Sequence, residues 1–223
     1  MTTANVAWMI VQKDLRTEWR TRYTLGSAVP FAATMLLTFG FALGPDRTLL
    51  VRTAPGLLWL AGMFAAIDIF HRSYQSEAAN GALEGLLLSP VDKGAVYLGK
   101  AAAAAVQLAV LFTATAVTVW LLFGLPLGPS PVLLVLTAAL GIVGLSALGS
   151  LFGLLTVLGR RQAALPILVL PLATPVVIAA IRGTALLASG TTDQVAGWVG
   201  LLVAFDAAFL ATGFLVFGHL LED

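Results

Sequence analysis

Between Ala101 and Gly159 the chain runs for 59 residues without one charged side chain. No other feature narrows the fold so far. A bilayer core about 30 Å thick is crossed by roughly 20 apolar residues in a helix, so this run holds two crossings. The segment Gly124-Leu-Pro-Leu-Gly-Pro-Ser-Pro131 divides it, and its proline and glycine spacing reads as a turn. The spans fall at about 98–123 and about 132–158.

Other charge-free runs give the remaining crossings. Tyr23 to Pro45 is 23 residues long and contains a span over 24–43. Thr53 to Ile67 has 15 residues, and adding Asp68 to Phe70 gives a short span over 53–70. Gln162 to Ile181 has 20 and predicts a span over 162–181. The last span covers 195–218 and is interrupted by Asp206. A β-barrel would show strands of about 10 residues with alternating polarity. The reading is an all-α integral membrane protein with six transmembrane helices in a single domain over 1–223.

Composition closes the other routes. The chain is 59% apolar and 10% charged, against about 25% charged in soluble domains. A water-soluble fold could not cover that much apolar surface, and disorder needs the opposite bias. There is no cysteine, which excludes disulfides, cysteine-ligated zinc, iron–sulfur clusters and thiol catalysis. A net charge of +1 gives no field for nucleic acid.

Lysine and arginine set the expected orientation. Lys13, Arg16, Arg20, Arg22, Arg72, Lys93, Lys100, Arg160 and Arg161 fall at one set of ends, and Arg47, Arg52 and Arg182 at the other. This 9-to-3 asymmetry predicts cytoplasmic termini. No apolar core with a small-residue cleavage site precedes Arg22, so the first span is expected to stay as an anchor. Ahead of it, Trp8, Leu15, Trp19 and Tyr23 recur at helical spacing, with Lys13, Arg16 and Arg20 turned elsewhere. That pattern predicts an amphipathic helix over about 5–22 lying in the membrane interface.

The longest polar segment runs from His71 to Lys100. Asn80 suits the cap of a short helix ending before Ser89-Pro90. Its stripe of Ala82, Leu83, Leu86 and Leu87, with Glu84 set apart, calls for a protein partner. Asp92 is placed to cap the third span. Gly94 to Lys100 imitates a phosphate-binding G-x-x-x-x-G-K loop, but Ala101 stands where the metal-binding hydroxyl belongs and no strand precedes it. Nucleotide is therefore expected on another chain.

Catalytic groups are sparse. His71 and His219 have no neighbouring ligand set. Asp206 costs roughly 2.5–3.5 kcal/mol against lipid, so it is expected inside the bundle. It serves there either as a substrate or gating contact or as a hydrogen-bonded structural group. Asp68 and Arg72, four apart, are expected to pair. Pro166, Pro171 and Pro175 predict a bent or partly unwound fifth span. Gly141, Gly144, Gly149 and Gly153 predict close packing of the fourth.

The order of these parts resembles the permease subunits of ABC-2-class exporters: an interfacial helix, two spans, a loop with Gly81-Ala-Leu-Glu84-Gly-Leu-Leu-Leu-Ser-Pro90 and Lys100, then four spans. Arg52-Thr-Ala-Pro-Gly-Leu-Leu-Trp59 and Leu165-Pro-Ile-Leu-Val-Leu-Pro-Leu-Ala-Thr-Pro-Val176 are similar to the CcmB family, the haem exporter permeases of cytochrome c maturation. The resemblance implies a permease of the bacterial inner membrane, paired with a separate ABC ATPase and with haem-handling membrane proteins. Whether one copy or a homodimer forms the membrane unit stays open. Ala78 to Leu88 is expected to dock into the ATPase as a short coupling helix, with Glu77 (the family pattern has Asp nearby), Gly81, Glu84, Leu87 and Pro90 as contacts. Arg52, Trp59, Pro166, Pro171, Pro175 and Asp206 are expected at partner contacts or in gating. The tryptophans are scattered and there is no cysteine or outward-facing histidine, so no cofactor is expected on this chain; haem would be the complex's substrate and ATP the partner's. The alternatives are an ABC-2 permease for a drug, lipid or polysaccharide, and a membrane scaffold that relays ATPase motion without transport.

Overall fold

A computed structural model describes the backbone of residues 2–79, 91–158 and 164–222, and the side chains of 2–75, 91–154 and 167–217. All regular structure among these residues is helical. The helices are α1 (Thr3–Thr21), α2 (Val29–Leu43), α3 (Arg47–Ala79), α4 (Lys93–Phe123), α5 (Pro131–Leu158), α6 (Ala164–Ala188) and α7 (Val195–Glu222). A π-helical turn over Thr24–Ala28 leads into α2. Six helices are long and apolar enough to cross a membrane, the first being this turn with α2. The chain is an all-α integral membrane protein.

Four helices outrun their predicted spans. Helix α3 begins at Arg47 rather than 53, because the Asp46 carboxylate accepts from the amides of Thr48 and Leu49 at 2.9 and 3.2 Å, and it ends at Ala79 rather than 70. Helix α4 starts at Lys93, where the Asp92 side chain caps Gly94 N at 3.0 Å. Helix α6 passes Arg182 to Ala188, and α7 reaches Glu222. Charge-free runs measure only the hydrocarbon layer; the helices continue through the headgroup layer, where long basic side chains reach water. The predicted short coupling helix lies outside the described residues.

Helix α3 is the hub. In its most apolar stretch 67% is buried, against 17% for α2 and for α7. Its large rings are received by glycines: Trp59 by Gly141, Phe70 by Gly149 and Tyr74 by Gly153. The glycine stripe of α5 is therefore a row of sockets, each of which a Cβ would fill. Between α3 and α4 the same device seats Phe112 on Gly62, with Phe112 and Trp59 ring centroids 4.7 Å apart.

Helix α6 corrects one expectation. It is α-helical throughout Ala164–Ala188, with Pro171 and Pro175 inside it, so the partly unwound form of the expectation does not occur within those residues. Pro166 lies three residues into the described part of α6. Within the described helix Pro171 and Pro175 delete helix bonds, and both lie on the exposed face.

Candidate functional site: a polar knot at the α1 end and a carboxylate between α5, α6 and α7

Helix α1 ends at Arg22, whose φ of 49° is left-handed and whose amide bonds Glu18 O at 2.6 Å. The Glu18 carboxylate then accepts from Thr24 N at 2.7 Å, the first residue of the first span. Tyr23 Oη donates to Asp68 Oδ2 on α3, and the Arg72 guanidinium lies 4.0 Å from the Tyr23 ring centroid. The expected Asp68–Arg72 pair is therefore replaced by two contacts to one tyrosine. Burial first, and then the bond to Asp68, raises the Tyr23 hydroxyl above its usual pKa, which keeps it a donor.

Beyond the elbow, Ala7, Ile10 and Asp14 share one face of α1. Ala7 and Ile10 press on α4 at Gly99, where a Cβ would meet the Ala7 carbonyl. Asp14 reaches Lys100, with Nζ and Oδ2 3.0 Å apart and the Lys100 side chain 3% exposed. Ser73 Oγ of α3 lies 3.4 Å from the same ammonium, and the Tyr74 ring is 5.0 Å away. Tyr74 Oη donates to Ser150 O of α5 at 2.6 Å. Tyr97 Oη lies 3.0 and 3.1 Å from the carbonyls of Ala147 (α5) and Phe209 (α7) as a shared donor. Thr3 Oγ1 donates to Asp92 at 3.2 Å. A cavity of about 10 Å³ among Asp14, Ser73, Lys100, Gln107 and Ser150 is the size of one water.

The knot thus binds α1 to the two helices, α3 and α4, that flank the segment over 80–90. It also disposes of the phosphate-loop imitation, since Gly94 to Lys100 is regular helix and its lysine is buried on a carboxylate. Sequence reasoning singled out Lys100 but missed Asp14. The signal was there: Asp14 stands on the stripe of Ala7 and Ile10, away from Arg16 and Arg20.

Asp206 is the second polar site. It is 6% exposed, faces Gly144 of α5 and lies near Val176 of α6. Neither carboxyl oxygen has a hydrogen-bond partner among the described residues. Its expected interior position holds; the structural hydrogen bond does not.

The remaining predicted residues separate. Trp59 is enclosed by its own bundle and donates Nε1–H to Thr184 Oγ1 at 3.1 Å, so its contacts are internal. Arg52, two turns earlier on α3, is exposed. Glu77 lies in the last turn of α3 with its side chain outside the described residues, as are Gly81, Glu84, Leu87 and Pro90. Among the described residues no His, Cys, Asp and Glu cluster could hold a metal.

A family model described as CcmB protein matches residues 5–222. The chain belongs to the CcmB family. This CcmB chain is 33% identical to heme exporter protein B of Pseudomonas aeruginosa over 183 residues, 78% of each chain. It is 31% identical to heme exporter protein B of Haemophilus influenzae over 210 residues, 87% of each. The protein of that name from Rhodobacter capsulatus is 31% identical over 170 residues, 76% of this chain and 78% of its own. The matched region of the CcmB chain takes in α1 from Asn5, all six spanning helices and the segment over 80–90, so Asp14, Lys100 and Asp206 fall within it.

Proposed function

We propose that this chain is the membrane permease subunit of a haem exporter serving cytochrome c maturation, driven by ATP hydrolysed on a separate ABC ATPase. The observation that carries the reading is a family match running from α1 to the end of α7, with relatives named heme exporter protein B. The 9-to-3 distribution of basic residues supports an inner-membrane orientation with both termini in the cytoplasm.

In this reading the ATPase docks on Ala78 to Leu88, with Glu77, Gly81, Glu84, Leu87 and Pro90 at the contact. The segment hangs between α3 and α4, which Lys100 and Ser73 join at its root. A displacement of this segment is therefore passed to α3, the most buried of the spanning helices, and through the ring-and-glycine sockets to α5. Haem is the complex's substrate, handled with further membrane proteins.

The test is complementation of a bacterium lacking its own permease gene, read as covalent haem in periplasmic c-type cytochromes. Restoration with the wild-type chain and loss with Glu84→Lys, alongside lost ATPase co-purification, supports the proposal. A chain that inserts and binds the ATPase yet restores no cytochrome points to another ABC-2 substrate. Single cysteines in this Cys-free chain report topology: position 84 labelled from outside intact cells overturns the orientation.

A further inference from the structure

Helix α1 carries Lys13, Arg16 and Arg20 with Asp14 and Glu18 interleaved, a pattern that in an isolated helix mixes its charges. The fold sorts them. Asp14 is drawn in by Lys100, and Glu18 is turned to the Thr24 amide. Arg16 and Arg20, one turn apart, stay exposed with no ion-pair partner among the described residues. Beside them Trp19 is 80% and Trp8 61% exposed, on a face distinct from the one packed on α4. Lys13 stays paired with Asp14 at 3.1 Å, so the cationic character of the outward side of α1 rests on Arg16 and Arg20, beside the two indoles.

We infer that Arg16 and Arg20 bind the phosphate of anionic phospholipid headgroups, with Trp8 and Trp19 seated at the level of the glycerol backbone. Guanidinium groups match phosphate oxygens in geometry, and indole rings favour the interfacial layer. The elbow selects lipid over a soluble partner. Thr24, bonded to Glu18 and first residue of a membrane span, follows Trp19 and Arg20 within about one and a half turns, which fixes both at headgroup depth. The inference needs α1 at a membrane surface and nothing of the transported substrate.

The full-length chain is reconstituted in nanodiscs of phosphatidylcholine with a minor share of phosphatidylglycerol, and retained lipid is counted by native mass spectrometry. The wild type is expected to retain phosphatidylglycerol preferentially. Each arginine removed should cost roughly fivefold in affinity, so Arg16→Gln/Arg20→Gln loses about 25-fold, with thermal unfolding unchanged. Arg182→Gln, at the other end of the bundle, should retain lipid normally, and millimolar inorganic phosphate should not compete. If the double variant fails to accumulate, wild type in rising salt gives the same reading, since the preference should fall. Equal retention by the double variant, a salt-independent preference, or lost ATPase co-purification with lipid retention intact would overturn the proposal, the last by assigning this face to the ATPase.

Discussion

The two buried polar sites of this CcmB-family chain differ in one respect. At the α1 end the buried cation and the two buried tyrosines have partners: Lys100 has Asp14 and Ser73, Tyr74 has Ser150 O, and Tyr97 has two carbonyls, while Thr24 Oγ1 has no hydrogen bond among the described residues. Between α5, α6 and α7, Asp206 has none. A satisfied polar network fixes the position of the helices that contribute to it, whereas a buried carboxyl without partners destabilises the packing around it. The first arrangement suits a joint that holds α1, α3 and α4 as one body. The second suits a group kept for something other than stability, since functional sites are where such conflicts persist.

The strongest way to break this contrast is Lys100→Met. It leaves Asp14 Oδ2 buried without its ammonium, with only the half-exposed Lys13 at 3.1 Å from Oδ1, and is expected to cost about 3 kcal/mol, the low end for a broken buried pair, read by denaturant unfolding in detergent. Asp14→Leu/Lys100→Met should recover most of the loss. A double variant as unstable as the single would show that the pair is not the joint.

Asp206→Leu should behave oppositely. Removing two unsatisfied oxygens is expected to raise stability by about 1–3 kcal/mol, while cytochrome c maturation falls in an assembled complex. Destabilisation would mean that Asp206 has a structural partner, and the contrast between the sites would vanish.

Gly149→Ala probes the socket that lies between the two sites. A Cβ there enters the Phe70 ring, and overpacking is expected to cost about 1–3 kcal/mol, relieved by Phe70→Leu. Normal stability would mean that α3 slides freely against α5, which would uncouple the knot from the Asp206 region.

The smallest effect belongs to α6, which packs near Asp206 through Val176 but carries its prolines outward. Pro171→Ala is expected to change stability by less than about 0.5 kcal/mol. Reduced cytochrome maturation at unchanged stability and ATPase association would mark that face as a moving contact; full activity would leave it to static packing.

Much of this could be read before any coordinates. The six spans, the turn at 124–131, the Asp92 cap and the amphipathic α1 follow from local properties: run length, periodicity, and the conformational habits of glycine, proline and aspartate. The glycine row of α5 was legible as a packing surface, but not what it packs against. That Gly141, Gly149 and Gly153 receive Trp59, Phe70 and Tyr74 depends on the register between two helices far apart in the chain, which no local pattern encodes. The expected Asp68–Arg72 pair failed for a related reason: i, i+4 spacing permits a bond, and Tyr23 from another element competed for both partners.

Membrane location, helix number and the existence of a surface helix were determined by the sequence alone, because transfer from water to lipid is summed over consecutive residues. The fate of each charge was decided only by the tertiary structure. Asp14, Glu18, Lys100 and Asp206 look alike as ionisable residues near or within apolar helices, yet three found partners from another helix or across a turn, and one found none among the described residues. Burial and pairing are properties of the space between helices, and that space exists only once the helices have packed.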